Sequence, residues 1–296
     1  MPISVTAPSQ RVPVLPLTQE TFAPFGTVVE NPNPTTLPPR SSNQTAASLG
    51  TQPPPSPIPV VVANQGTALK YLDVTLQTDL YGKAPSGKPS RAIMTMFVCA
   101  PRNLRPDPSS PEVSTEKATS IEGLFDVSIL ERHPFTQQTF VPMGLSAEDP
   151  DTRYLVLVAP TLPVAQGDAK TASYPTPCPP QKSGWGLKSL FSRSPAEAEK
   201  TGSAGKGPGL PDLANIKAFV ATGAQAVTYA AGTWHAPMVV LGKRSVDFVV
   251  TQFANSVGDE DCQEVEIQPE TPNGALAVVV PKHEITQTTA LARAKL

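Results

Sequence analysis

The sequence predicts a mainly β domain, whether barrel, sandwich or jelly roll, and three observations predict it. Short runs rich in Val, Ile, Leu, Phe and Tyr recur along the chain, most of them bounded by Gly, Pro or Asn, the pattern of strands and their turns. Segments with the length and 3.6-residue period of a helix are nearly absent. Proline stands at 36 of 296 positions, more than twice its usual share of ~5%, and is concentrated in blocks between the strand-like runs. Many short strands with few helices build a closed or two-layered β fold.

In chain order, strands are predicted at 12–17, 26–30, 58–64, 70–76, 92–100, 125–130, 139–143 and 153–159. After a long gap they resume at 217–221, 225–230, 236–241, 246–253 and 262–267. Two helices are candidates. One covers 17–26 with Thr18 as cap; the other covers 212–223 with Asp212 as cap and Gly223 as stop, and it competes with the strand reading at 217–221. The proline-rich blocks at 31–57, 101–120 and 161–211 bury too little apolar area to offset an ordering cost of ~1–2 kcal/mol per residue. They read as disordered insertions in a single domain spanning 1–296, with a flexible tail at 282–296. Within the third block, "GWGLKSLF" (184–191) reads as a hydrophobic cluster in a loop or a short docking motif.

Charge is balanced, with 23 Lys+Arg against 25 Asp+Glu and no like-charged block, so neither nucleic acid nor an anionic membrane surface is an expected partner. Cys99, Cys178 and Cys262 are far apart and form no C-x-x-C pair. That excludes a disulfide framework and a zinc ribbon, and fits a reducing or peroxisomal interior. The N-terminal residues hold no apolar core of a secretory signal, and no run of ~18 apolar residues is present to span a bilayer. The chain ends in Ala294-Lys295-Leu296, a conservative variant of the S-K-L peroxisomal address. A peroxisomal location with an import receptor as partner is therefore expected, the cytoplasm being the alternative.

Three histidines are present, His133, His235 and His283. His283 lies in the C-terminal tail, where a solvated role is expected. An isolated barrel histidine is more often a packed, hydrogen-bonded core group than a functional one. Around His133, however, the chain reads E-R-H-P-F-T-Q-Q, and in an extended segment Glu131 and His133 share one face while Arg132 points away. A carboxylate beside an imidazole makes an acid/base pair near neutral pH. The spacing E-x-H-x4-Q, followed by G-x-x-H at Gly232 and His235, is similar to the cupin pattern of metal ligands in a small β-barrel. Glu131, His133, Gln138 and His235 would then be a ligand set weaker than three His and a Glu. A divalent metal is a cofactor this set could hold but does not require.

Several stretches taken together resemble the ureidoglycolate lyase family of allantoin degradation, in the form with insertions typical of fungi. They are "VLPLTQETFAPFGTVVE" (14–30), "ANQGTALKYLDV" (63–74), "LERHPFTQQTFVPM" (130–143), "YLVLVA" (154–159) and 213–250 with its G-x-W-H-x-P. The resemblance implies a cupin-like jelly-roll β-barrel, usually a homodimer, that splits (S)-ureidoglycolate into glyoxylate and urea. It implies His133, His235 and Glu131 as the acid/base groups and Lys70 as the holder of the substrate carboxylate. Asn64 and Gln138 would meet the urea group, and Trp234 would wall the pocket. Val98 stands where the family carries Arg; Arg102 or Arg132 could compensate.

Two other readings stand beside this one. One is a metal-dependent cupin enzyme acting on another small 2-hydroxy or 2-oxo acid. The other is a non-catalytic cupin-like scaffold that docks through 161–211. An ammonia-releasing amidohydrolase is excluded, because three histidines cannot furnish its binuclear metal site.

Overall fold

A computed structural model describes residues 3–39, 56, 58–108, 121–149, 151–163, 209–271 and 274–282. His283, the Ala294-Lys295-Leu296 tripeptide and the 184–191 cluster lie outside the described residues. The chain opens with β1 (Ile3–Ala7), β2 (Gln10–Pro16), helix α1 (Gln19–Phe22), β3 (Gly26–Glu30), β4 (Val60–Ala63) and β5 (Ala68–Tyr71). It continues through β6 (Arg91–Cys99), β7 (Ile121–Asp126), β8 (Ile129–Arg132), β9 (Gln138–Met143) and β10 (Arg153–Ala159). Then come β11 (Lys217–Ala221), β12 (Gln225–Tyr229), β13 (Trp234–His235), β14 (Val239–Leu241) and β15 (Val246–Ala254). A one-turn helix α2 (Gly258–Asp261), β16 (Gln263–Pro269) and β17 (Leu276–Pro281) complete the fold. Among the described residues no helix is long and apolar enough to cross a membrane.

The fold is mainly β and cupin-like. A large curled sheet runs in the order β1-β16-β8-β13-β10-β11-β2-β17-β7, with β14 also paired to β10. A second sheet runs β3-β12-β9-β15-β6, and β4 with β5 forms a separate hairpin. β10 shows how the sequence builds this. All seven of its residues are buried, because alternate side chains enter two different cores. Leu155, Leu157 and Ala159 join the core enclosed by the large sheet. Tyr154, Val156 and Val158 join the core between the two sheets, with Phe140, Val227, Tyr229 and Phe248. β11 divides in the same way, with Ala218 in the first core and Phe219 and Ala221 in the second.

Of the helix expected over 17–26 only one turn, α1, forms, with Thr18 as its cap: the Thr18 side chain accepts from the Thr21 amide, and Phe22 anchors the turn in the second core. The helix expected over 212–223 does not form. A single 3-10 turn, Leu213–Asn215, leads straight into β11, because burial on both faces of that strand outweighs local helix preference. The strand expected over 125–130 breaks at Val127–Ser128, so β7 and β8 join distant parts of the large sheet. Similarly, 236–241 yields only β14, with Pro237 separating it from β13. β1 and β17 are strands that the alternation reading does not anticipate. The proline block at 101–120 is partly built into the fold: Arg105 bridges Leu124, and buried Asp107 accepts two 2.6 Å hydrogen bonds from Arg11.

Candidate active site

The site forms where β8 and β13 of the large sheet meet β9 and β12 of the second. On β13, Trp234 and His235 must point to opposite faces. Trp234 enters the first core and His235 faces the second. Cross-strand register puts His235 directly opposite Glu131 of β8. Glu131 and His133, two apart, share the same face, so carboxylate and imidazoles meet. His235 Nε2 lies 3.5 Å from Glu131 Oε1, and the two imidazole centroids are 5.6 Å apart. Buried Gln138, at the start of β9, places its Oε1 3.2 Å from His235 Nε2.

Backbone carbonyls orient both rings. His133 Nδ1–H donates to the Asp261 carbonyl at 2.6 Å, and His235 Nδ1–H donates to that of Thr233 at 2.9 Å. Each Nε2 is thereby turned toward the other and toward Glu131. His133 Nε2 is buried without a hydrogen-bond partner, and so is the Tyr229 hydroxyl nearby. Burial, reinforced by His235, pushes His133 down to about 4, so its ring is neutral at physiological pH. Burial alone would raise the Glu131 carboxyl, but the hydrogen bond and electrostatic attraction of His235 hold it below its ordinary value.

The ligating atoms of Glu131, His133 and His235 all lie within 4.8 Å of one another. Two imidazoles and a carboxylate, each Nδ1–H tied to a carbonyl, are a donor set that fits a divalent cation. Glu131, Cys262 and Glu264 also lie close together. There the Cys262 thiol, 3.8 Å from Glu131 Oε2, is pushed up to about 12 by burial and neighbouring carboxylates, so it stays protonated and is a poor ligand.

Not every residue the sequence suggested comes to this cluster. Trp234, expected to wall the pocket, lies on the far face of β13, because adjacent strand residues cannot share a face. Lys70 and Asn64 are exposed on the β4–β5 hairpin, and no hydrogen bond or ion pair joins either side chain to Glu131, His133 or His235. Val98 points outward at 71% exposure, opposite Asp247, so an arginine there would not face the imidazoles. Arg102 sits 5.5 Å over the Phe125 ring and Arg132 4.3 Å over the Trp234 ring, both on the first-core side. Neither takes the place of a carboxylate-binding cation beside the site.

Sequence reasoning missed three residues that shape the site. Tyr229 stacks flat on His235. Gln252 accepts from Gln138 Nε2 at 2.6 Å. Asp261 offers its carbonyl to His133, while its carboxylate accepts from the Tyr81 hydroxyl at 2.6 Å and the Asn255 amide at 2.9 Å. For Tyr229 a local signal existed, since it opens the Y-A-A-G-T-W-H run that ends at His235. For the others only tertiary contact brings them in.

Comparison with known proteins shows what the chain is similar to. The profile of the family described as ureidoglycolate lyase matches residues 9–272. The chain is 31% identical over 247 residues to the ureidoglycolate lyase of Schizosaccharomyces pombe, covering 83% of this chain and 86% of that protein. It is 31% identical over 206 residues to that of Saccharomyces cerevisiae, covering 68% and 75%. It is 26% identical over 235 residues to that of Burkholderia mallei, covering 79% and 78%. A family match over residues 9–272, a range that includes Glu131, His133 and His235, leads to one conclusion: the chain belongs to the ureidoglycolate lyase family.

Proposed function

We propose that this lyase splits (S)-ureidoglycolate into glyoxylate and urea, with His133 as base and His235 as acid. The observation that carries the reading is the convergence of two carbonyl-oriented imidazoles on one carboxylate. The substrate carbon bears a hydroxyl, a carboxylate and a urea nitrogen. His133, kept neutral by burial, takes the hydroxyl proton at Nε2. The C–O bond becomes a carbonyl as the C–N bond breaks, and the urea nitrogen takes a proton from His235 Nε2. Glu131 and Gln138, both facing that nitrogen, hold the donor in line. Solvent returns the proton from one imidazole to the other, and no water is consumed.

The donor set favours a second reading of the same site, with Glu131, His133 and His235 holding a divalent cation. Such an ion would polarise the hydroxyl of a 2-hydroxy acid and make it more acidic. The chain's part is then to orient the ligands through the Asp261 and Thr233 carbonyls.

The deciding experiment supplies racemic ureidoglycolate to purified protein and assays urea and ammonia separately, before and after chelation. Urea with glyoxylate supports the lyase. Ammonia or no turnover overturns it, and loss on chelation with recovery on adding metal assigns the cation.

A homodimer is part of the proposal. Register places Met96, Val249 and Val141 in one row, and Val98, Asp247 and Met143 in the next. Met94, Met96, Val98, Val141 and Met143 are 71%, 55%, 71%, 40% and 48% exposed. An apolar sheet face on which β6 is the edge strand among the described residues is suited to burial against a second copy of the chain. The C-terminal tripeptide is proposed as the address read by a peroxisomal import receptor.

A further inference from the structure

On the face turned away from the site, Arg132 and Trp234 share one acceptor. Arg132 Nη1 donates to the Gly209 carbonyl at 3.0 Å, and Trp234 Nε1 donates to the same oxygen at 3.2 Å. The guanidinium lies 4.3 Å over the indole, and Arg132 Nε donates to Gln263 at 2.9 Å. Arg132 immediately precedes His133, and Trp234 immediately precedes His235. Gly209 is itself fixed, because Leu162 N–H donates to Leu210 at 2.8 Å and Thr161 bridges Pro211. A Cβ on Gly209 would lie 2.0 Å from the Leu162 carbonyl oxygen, so no other residue fits without moving the oxygen that the two donors share.

This clamp matters because the backbone hardly joins the two strands. β8 and β13 share one residue pair, His235 with Glu131, and β13 is only two residues long. One pair does not set the angle between two strands. A carbonyl that takes a donor from each of them does.

We infer that Arg132, Trp234 and the Gly209 carbonyl form a positioning device that sets the His133–His235 geometry from behind. They touch no reacting atom. The activity side of this inference rests on the lyase reading; its geometric side does not.

With three histidines in the chain, His283→Ala leaves two imidazoles for nitrogen-15 spectra. In that background Trp234→Phe keeps a ring but loses the donor, and Gly209→Ala displaces the acceptor. Both are expected to move the His133 and His235 signals together. Both should also lower kcat roughly 10-fold with KM changed less than about 2-fold, as expected when reacting groups are slightly misplaced. Arg132→Lys, which retains a donor, should lose less than Arg132→Met. Val278→Ala, a cavity in the first core, is the control for destabilisation alone and should leave both signals in place. Wild-type signals in folded Trp234→Phe and Gly209→Ala would overturn the inference, as would equal shifts in Val278→Ala. If the unmodified protein does not turn over ureidoglycolate, the lyase reading fails, and the imidazole signals still decide this one.

Discussion

His235 lies flat against Tyr229, with ring centroids 3.9 Å apart and planes 15° from parallel. Tyr229 comes from β12 of the second sheet and His235 from β13 of the first, so the stack joins the sheets and fixes the imidazole's rotation. The Tyr229 hydroxyl is buried with no partner. Tyr229→Phe should therefore change stability by less than about 1 kcal/mol, since it removes an unsatisfied polar group. Tyr229→Leu keeps the burial but loses the stack, and should lower kcat at least roughly 10-fold. Chemical denaturation and urea-release assays on the pair check both.

Removing either imidazole should stop the chemistry while leaving the fold. His133→Asn and His235→Asn are each expected to cost ~10²–10⁴ in kcat, the usual range for a general acid or base. Glu131→Gln keeps the shape and loses the charge, and should fall between these variants and wild type. A His133→Asn protein with near-normal turnover would remove the base from the proposal.

The buried neutral His133 makes stability depend on pH. Its value falls from an ordinary 6.5 to about 4 in the folded protein. Between those values the unfolded chain binds a proton that the folded chain refuses, so stability is complete above pH 6.5 and lost as pH falls toward 4. The displacement corresponds to about 3 kcal/mol in total. Denaturant midpoints at pH 7.5 and 4.5 measure it, and His133→Gln should flatten the difference.

The outer face of β6, β9 and β15 should be an interface. Met96→Glu puts a charge at its middle, while the inward-facing side chains of β6 keep their places. Light scattering is expected to give twice the 31.2 kDa chain mass for wild type and the single mass for the variant. A monomeric wild type would end this assignment.

Deletion of Ala294-Lys295-Leu296 should leave turnover in vitro unchanged and move a fluorescent fusion from peroxisomes to the cytosol. Unchanged import would show that another segment is the address.

Much of this molecule could be read locally. β3 follows from the β-branched run in "GTVVE", α1 from Thr18 as its cap, and β10 from an unbroken apolar run. The same period-2 rule that separated Arg132 from Glu131 and His133 also separates Trp234 from His235. Applied there, it would have kept Trp234 out of the pocket. It could not have said that Trp234 and Arg132 would meet at the Gly209 carbonyl, because three distant segments supply that contact.

The sequence by itself determined the β class, the shared face of Glu131 and His133, and membership of a lyase family, because these depend on neighbours along the chain. Only the tertiary structure decided that β10 lies between two cores and that Asp261 aims His133. It alone decided that Tyr229 holds His235 and that Lys70 and Asn64 stay on a hairpin with no bond to the imidazoles. Alternation says which side chains of one strand share a face. Which strands become neighbours is set by burial summed over the whole fold, and no local pattern contains that sum.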